Sequence, residues 1–427
     1  MATETLSVAE SLRALGRAPR ELWIVYAMKL CESVAYFAIY SVLVLFLSDD
    51  LGYSDLEAGG LAGTWLTVVS LVVFVSGFVS DTLGVRRALF LAAVSCVVGR
   101  GLLAFGGDRA WVLAGLTVMV WGVASMKPTM NAAVRSYTTP ASVAFAFSLY
   151  YVLMNVGSMA QGPLISGFRS AFPHGTLLGG LAFSSSELVF LVAFGASVVN
   201  LGLSFLLRDP PVPATPPAHP LQAAREVLAE PAFWRFLAFV GLLTMVRLVF
   251  QHAHLTWPKY AIREFGETFP YATYWSLNPA MIVVLTPLAT AVTRRWPVYP
   301  TIVAGALLSS VSIFAMALST SVAASVVFIV VLSLGEAIWS PRLYEYTATI
   351  APRGRESSYM GLSEVPLFVA KPIAGFLSGW LLQTYCPADG PRSSTTMWWL
   401  VGGMTIAAPA AMVFLRSRLE AKPTAAG

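Results

Sequence analysis

The sequence predicts an all-α integral membrane protein whose twelve transmembrane helices form two pseudo-symmetric six-helix bundles. Three observations carry this. Of 427 residues, 57% are hydrophobic and only 11% charged, and apolar stretches recur at the ~20 residues that a ~30 Å hydrocarbon core requires. A proline- and alanine-rich connection, "RDPPVPATPPAHPLQAAREVLAEP" from Arg208 to Pro231, divides these stretches six and six. The two halves also match weakly at a fixed offset of 209 residues, which relates Pro163 to Pro372, Asn155 to Glu364 and Lys127 to Glu336.

In order, the expected spans are Leu22–Leu47, Glu57–Ser80, Ala88–Phe105, Trp111–Ala133, Ala141–Phe168 and Glu187–Leu207, then Phe233–Trp257, Tyr271–Thr293, Val298–Ser319, Ser321–Ile350, Ser358–Thr384 and Thr396–Leu415. The domain plan is an N-terminal segment (1–21), a first bundle (22–207), a linker (208–232), a second bundle (233–416) and a tail (417–427). One set of short loops holds Arg13, Arg17, Arg20, Arg86, Arg87, Arg135, Arg208, Arg294, Arg295, Arg353 and Arg355, whereas the opposite set holds Asp49, Asp50, Asp55, Asp108 and Asp389. Lys and Arg concentrate on the cytoplasmic side, so both termini are placed in the cytoplasm of a multi-pass cell-membrane protein. The same asymmetry accounts for most of the net charge of +5, so no nucleic-acid partner is inferred. No cleaved signal peptide is expected, and the protein is taken as a monomer.

Ionisable groups inside spans cost at least ~2.5–3.5 kcal/mol on insertion scales and are functional candidates by default. In the first span, Lys29, Glu32, Tyr36 and Tyr40 follow at steps of three, four and four, which is one helical face. Glu32 lies ~15 Å and Lys127 ~12 Å from the cytoplasmic ends of their helices, depths that suit an ion pair able to exchange protons. Pro128 would loosen the fourth helix beside Lys127. Glu336 is an acceptor for a substrate amine or a proton, or the partner of an arginine. Arg342 and Glu345 could satisfy each other, Glu364 and Lys371 could be gate residues or a lock, Arg100 is expected to snorkel, and Arg247 lies deeper.

Enzyme chemistry has little support. His174, His219, His252 and His254 form no HExxH pattern, no GxSxG is present, and Cys31, Cys96 and Cys386 have no metal spacing. Of the three cysteines, Cys386 is the one expected to meet solvent. No cofactor or metal is implied; a proton gradient would supply the driving force.

Two sets of motifs carry a resemblance. "GFVSDTLGVRR" (Gly77 to Arg87) resembles the loop between helices 2 and 3 of the major facilitator superfamily, which implies a conformational role for Gly77, Asp81, Gly84, Arg86 and Arg87. "MKPTMNA", "FSLYYVLMNVGS", "YWSLNPAMIVVLTPL" and "GEAIWSPRLYEYTATIAP", in that order, resemble the proton-dependent oligopeptide transporter family. This resemblance implies that Lys127 helps hold a substrate carboxylate, that Glu336 receives its amine, and that Asn155, Asn278 and Tyr36 shape the cavity. It also implies proton-coupled symport of peptides or related small zwitterionic or anionic solutes by alternating access. The first span departs from the family pattern of two glutamates three apart followed by arginine, reading Lys29, Glu32 and Ser33 instead. Coupling would then fall to Glu32 with Glu336 or Glu364, and Lys29 would restore part of the lost positive charge. The alternatives are an exporter or facilitator of amphiphilic compounds and a non-transporting membrane receptor.

Overall fold

The computed structural model describes residues 16, 18–139, 142–209, 229, 231–350 and 365–420. Among these, ten helices are long and apolar enough to cross a membrane. They correspond to ten of the twelve expected spans; the expected fifth and eleventh are also helical, over Val143–Ala171 and Val365–Tyr385. The central linker falls mostly outside the described residues, as does Glu364.

The helices are α1 (Arg20–Leu45), α2 (Asp55–Leu83), α3 (Val85–Phe105), α4 (Arg109–Ser136), α5 (Val143–Ala171) and α6 (Ser185–Leu206). They continue with α7 (Pro231–Leu255), α8 (Trp257–Phe265), α9 (Tyr271–Trp275), α10 (Leu277–Thr293), α11 (Val298–Val311), α12 (Phe314–Leu318), α13 (Val322–Ile350), α14 (Val365–Tyr385), α15 (Ser394–Phe414) and the short α16 (Arg416–Leu419). Local chemistry sets several ends. No glycine or proline interrupts α1, which begins directly after Pro19. Asp108 caps α4 by accepting the Ala110 and Trp111 amides, and Ser184 with Glu187 forms a capping box at α6. A hairpin absent from the sequence expectation joins α5 to α6: β1 (Thr176–Leu178) pairs antiparallel with β2 (Leu181–Phe183). Its turn is Gly179–Gly180, both at positive φ, as a tight two-residue hairpin turn requires.

The chain forms two compact units. The first comprises 1–52, 65–213 and 270–276; the second comprises 53–64, 214–269 and 277–427. In the first unit α1 packs against α5 and α6, and α3 against α4 and α6. Small residues set these distances: a Cβ on Gly99 would lie 2.7 Å from the Gly115 carbonyl oxygen, and one on Gly157 would lie 2.5 Å from Ser33 Cβ. The second contact explains the serine at position 33, since α1 and α5 touch there and leave no room for a long side chain. In the second unit α13 packs on α10 and α11, and α7 on α14 and α15. Its core gathers Phe236, Phe239, Tyr299, Trp339 and Tyr346. The first turns of α2 belong to this unit and cross α14 through glycine: a Cβ on Gly63 would lie 2.8 Å from both Gly375 Cα and the Lys371 carbonyl oxygen.

At three of the prolines inside these helices, Pro128, Pro163 and Pro409, a serine hydroxyl reaches the carbonyl that the proline leaves without its donor. A proline at position i removes the hydrogen bond to the carbonyl at i−4. For Pro128 that carbonyl is Ala124, which lies 3.2 Å from Ser76 Oγ of α2, whose one hydroxyl proton it shares with the Val73 carbonyl at 2.9 Å. For Pro163 it is Met159, which accepts from Ser276 Oγ at 2.8 Å, and for Pro409 it is Thr405, which accepts from Ser310 Oγ at 3.0 Å. Within lipid such a carbonyl has no water to turn to, so neighbouring hydroxyls supply the missing donor. Ser76→Ala is expected to destabilise the protein by ~1 kcal/mol. The same substitution in a Pro128→Ala background should cost little, because the Ala124 carbonyl then regains its backbone donor. Thermal melts of the two singles and the double check this; equal costs in both backgrounds would refute it.

Candidate functional site

In the first unit the polar face of α1 is present as read from the spacing. Lys29 and Glu32 are both buried, and the rings of Tyr36 and Tyr40 follow with centroids 6.1 Å apart. The Lys29 ammonium sits 4.7 Å from the centre of the Tyr150 ring on α5. Asn155, one turn further along α5 and buried, bonds back to the Tyr151 carbonyl at 2.9 Å through its amide nitrogen.

The expected Glu32–Lys127 pair is not formed. Both carboxylate oxygens of Glu32 are taken by Arg100 of α3, at 2.6 and 2.9 Å, and Ser197 Oγ of α6 accepts from the same guanidinium at 2.7 Å. Arg100 is 0% exposed, so the expectation that it snorkels is also overturned. The physical reason is geometric: a planar guanidinium meets a carboxylate through two parallel bonds, which a lysine point charge cannot match. Lys127 itself is exposed and makes no ion pair or hydrogen bond among the described residues, although its charge acts on that of Lys29. Arg100 is therefore the functional candidate that periodicity missed. The available signal was an arginine among "VSCVVGRGLL", too apolar a stretch for a surface residue.

In the second unit Asn278 of α10 donates from one amide nitrogen to Ser333 Oγ at 3.0 Å and to Glu336 Oε2 at 3.1 Å. Arg247 of α7 lies over the Trp339 ring at 5.5 Å and acts electrostatically on Glu336 without forming an ion pair with it. Gly335, beside the glutamate, lets α13 approach α11: a Cβ there would lie 2.7 Å from the Gly305 carbonyl oxygen. The Arg342–Glu345 alternative is not what Arg342 displays, since its guanidinium donates to the Thr293 carbonyl and hydroxyl oxygens; the Glu345 side chain is outside the described set.

Two further groups depart from expectation. Asp55, read as a loop acid, begins α2 and holds Lys259 Nζ at 2.6 Å and the Arg263 guanidinium at 2.7 and 2.8 Å. Cys386, expected to meet solvent, is buried, with Sγ 3.9 Å from Glu264 Oε1, and burial pushes its thiol above the ordinary range.

A family model described as Major Facilitator Superfamily matches residues 25–365. The chain belongs to the major facilitator superfamily. It is thus a multi-pass secondary transporter of small molecules and not an enzyme. Its relatives include a dipeptide and tripeptide permease A of Erwinia pyrifoliae, 22% identical over 88% of this chain and 85% of the permease. They also include a multidrug resistance protein MdtH of Aeromonas salmonicida, 24% identical over 90% of this chain and 91% of that protein. Among solved structures, a POT family transporter in complex with 5-aminolevulinic acid superposes with a TM-score of 0.78 at 15% identity, covering 94% of this chain and 97% of that one. That likeness is one of fold.

The superfamily loop motif can be placed in part. Gly84 has φ of +80°, a conformation glycine tolerates, and a Cβ there would lie 2.9 Å from the Asp209 carboxylate. Asp209, just past α6, accepts the Arg86 amide at 2.8 Å and so fills the role of an anion at the N-terminus of α3. The Arg86 and Arg87 side chains are exposed, and those of Gly77 and Asp81 lie outside the described set. Lys371 is half-buried, with its carbonyl at the glycine crossing described above.

Proposed function

We propose that this major facilitator is a proton-coupled symporter of small zwitterionic or anionic organic solutes, peptides among them, working by alternating access with both termini in the cytoplasm. The observation that carries the reading is the distribution of unmatched charge. Lys29 and Lys127 of the first unit bond to no carboxylate among the described residues, and Glu336 of the second is held by a neutral amide. A carboxylate suits the lysines, and an ammonium suits Glu336. Asn155, Tyr36 and Tyr40 contribute polar wall to the first unit's part in binding, and Asn278 to the second unit's. Gly77, Asp81, Gly84, Arg86, Arg87, Pro128 and Lys371 serve the conformational cycle.

Coupling is assigned to Glu336, with Glu364 as a second acid, and no longer to Glu32. A carboxyl held by an amide can gain or lose a proton without abandoning a buried cation, whereas Glu32 would have to leave Arg100 uncompensated. In liposomes with a trapped pH dye and an imposed inside-negative potential, a dipeptide pool is expected to drive acidification in the wild type and not in Glu336→Gln. Uptake of labelled dipeptide that survives collapse of the proton gradient would overturn coupling. The likeness to the multidrug resistance protein favours a second reading, export of amphiphilic compounds. Dye efflux from inverted vesicles with no dipeptide-driven proton flux would select it.

A further inference from the structure

The hairpin between α5 and α6 takes no part in the sites above, yet its surface is unusual. Between His174 and Glu187 the chain reads "GTLLGGLAFSSS", without one charged side chain. The register pairs Leu178 with Leu181 and Thr176 with Phe183, so these four side chains share one face of the ribbon, while Leu177 and Ala182 share the other. Leu178 is 46% exposed and Leu181 57%, and the ladder has no third strand among the described residues. In bulk water a two-stranded ribbon with this much bare apolar surface has little to hold it.

The neighbours of the hairpin say what covers it. The Phe183 ring, on the leucine face, is buried and meets Phe105 edge-on with centroids 5.8 Å apart. Phe105 is the last residue of α3 and packs in turn on Phe194 of α6 at 5.7 Å. It also ends a stripe: Leu91, Val98 and Phe105, seven apart and all exposed, lie on one face of α3 over about 21 Å of helix. In a chain that crosses the membrane, the solvent of such a stripe is the lipid acyl chain. Trp111, exposed at the start of α4, adds the aromatic ring typical of a membrane boundary. The leucine face of the hairpin therefore continues a lipid-facing surface past the end of α3. Its open edges set the depth, because unpaired N–H and C=O groups cannot enter hydrocarbon and bare leucines are disfavoured in water. The layer between headgroups and acyl chains satisfies both.

We propose that the Thr176–Phe183 hairpin is a membrane-surface anchor that lays Leu178 and Leu181 into the phospholipid boundary beside α3 and α6. Its partner is the lipid and not a second protein. With no lysine or arginine in the hairpin, it selects no headgroup charge, so phosphatidylcholine serves as well as an anionic lipid. The anchor holds the α5–α6 end of the first unit at a fixed depth in the bilayer.

Leu178→Cys and Leu181→Cys, each spin-labelled in phosphatidylcholine nanodiscs, test this by collision with oxygen, which concentrates in lipid, and with a water-soluble nickel chelate. The signal of labelled wild type, with its three native cysteines, is subtracted. Both labels should respond to oxygen as Val199→Cys does on the exposed face of α6, and should lose most of the nickel response shown by Asp389→Cys in an exposed loop. Adding phosphatidylglycerol should leave this unchanged. In a Leu178→Asp background the Leu181→Cys label should lose oxygen contact and gain nickel contact. Nickel collision as strong as at Asp389→Cys in the parent protein would place the hairpin in water and overturn the anchor. Labels shielded from both reagents, or spin–spin broadening that grows with the number of copies per disc, would assign the face to protein and overturn it too. Oxygen contact at Leu181→Cys untouched by Leu178→Asp would show that the leucines do not hold the hairpin in lipid, and the proposal would fall.

Discussion

Arg100→Met is expected to destabilise the protein by ~3–5 kcal/mol, the largest single effect in the first unit. The guanidinium is fully buried, and deleting it leaves the Glu32 carboxylate without either of its two donors and leaves Ser197 without its acceptor role. The loss measures an uncompensated charge rather than the worth of the pair. Removing both charges in Glu32→Met/Arg100→Met should therefore recover most of the stability, because well-packed apolar groups often replace a buried pair at little cost. Melting curves of the three variants in detergent decide the matter. A double variant as unstable as the Arg100 single would show that the arginine supports the fold by packing alone, and the pair would lose its significance.

Gly375→Leu is the second large effect. The crossing of α2 and α14 brings backbone onto backbone: a Cβ on Gly375 or Gly63 would lie under 3 Å from main-chain atoms of the other helix, with Gly59 and Gly379 continuing the same seam. Main chain cannot rotate away as a side chain can, so the helices must separate and the second unit loses their packing. The expected cost is about 3 kcal/mol or more, with transport lost in parallel. Gly403→Leu on α15, where a Cβ meets nothing within 4 Å, is the control and should melt like the wild type. Equal tolerance at both positions would mean that the crossing is not needed for stability.

The helical spans were legible because each needs only its own composition: some twenty apolar residues must close their hydrogen bonds internally in lipid, whatever their neighbours are. Lys29, Glu32, Tyr36 and Tyr40 could be placed on one face for the same reason, since helical periodicity is local. Glu336 could be singled out as an acid in apolar surroundings, whereas Asn278 was reached only through the family resemblance. The hairpin at Thr176–Phe183 went unread because its strands are three residues long, too short for an alternation to register. The serines that repair the prolines were also hidden, since Ser76 and Ala124 are 48 positions apart.

Pairing was the real limit. Depth along two helices suggested Lys127 for Glu32, but depth says nothing of the direction in which a side chain points, and Arg100 reached the carboxylate from a third helix. By itself, then, the sequence determined that this is a helical membrane transporter, which positions are charged within its spans, and which of them share a helical face. The tertiary structure alone decided which charges are consumed by one another and which stay available. The physical reason is that burying a charge is costly unless it is paired, and whether a partner lies within reach is set by the packing of separate helices, at distances that no spacing within one helix encodes.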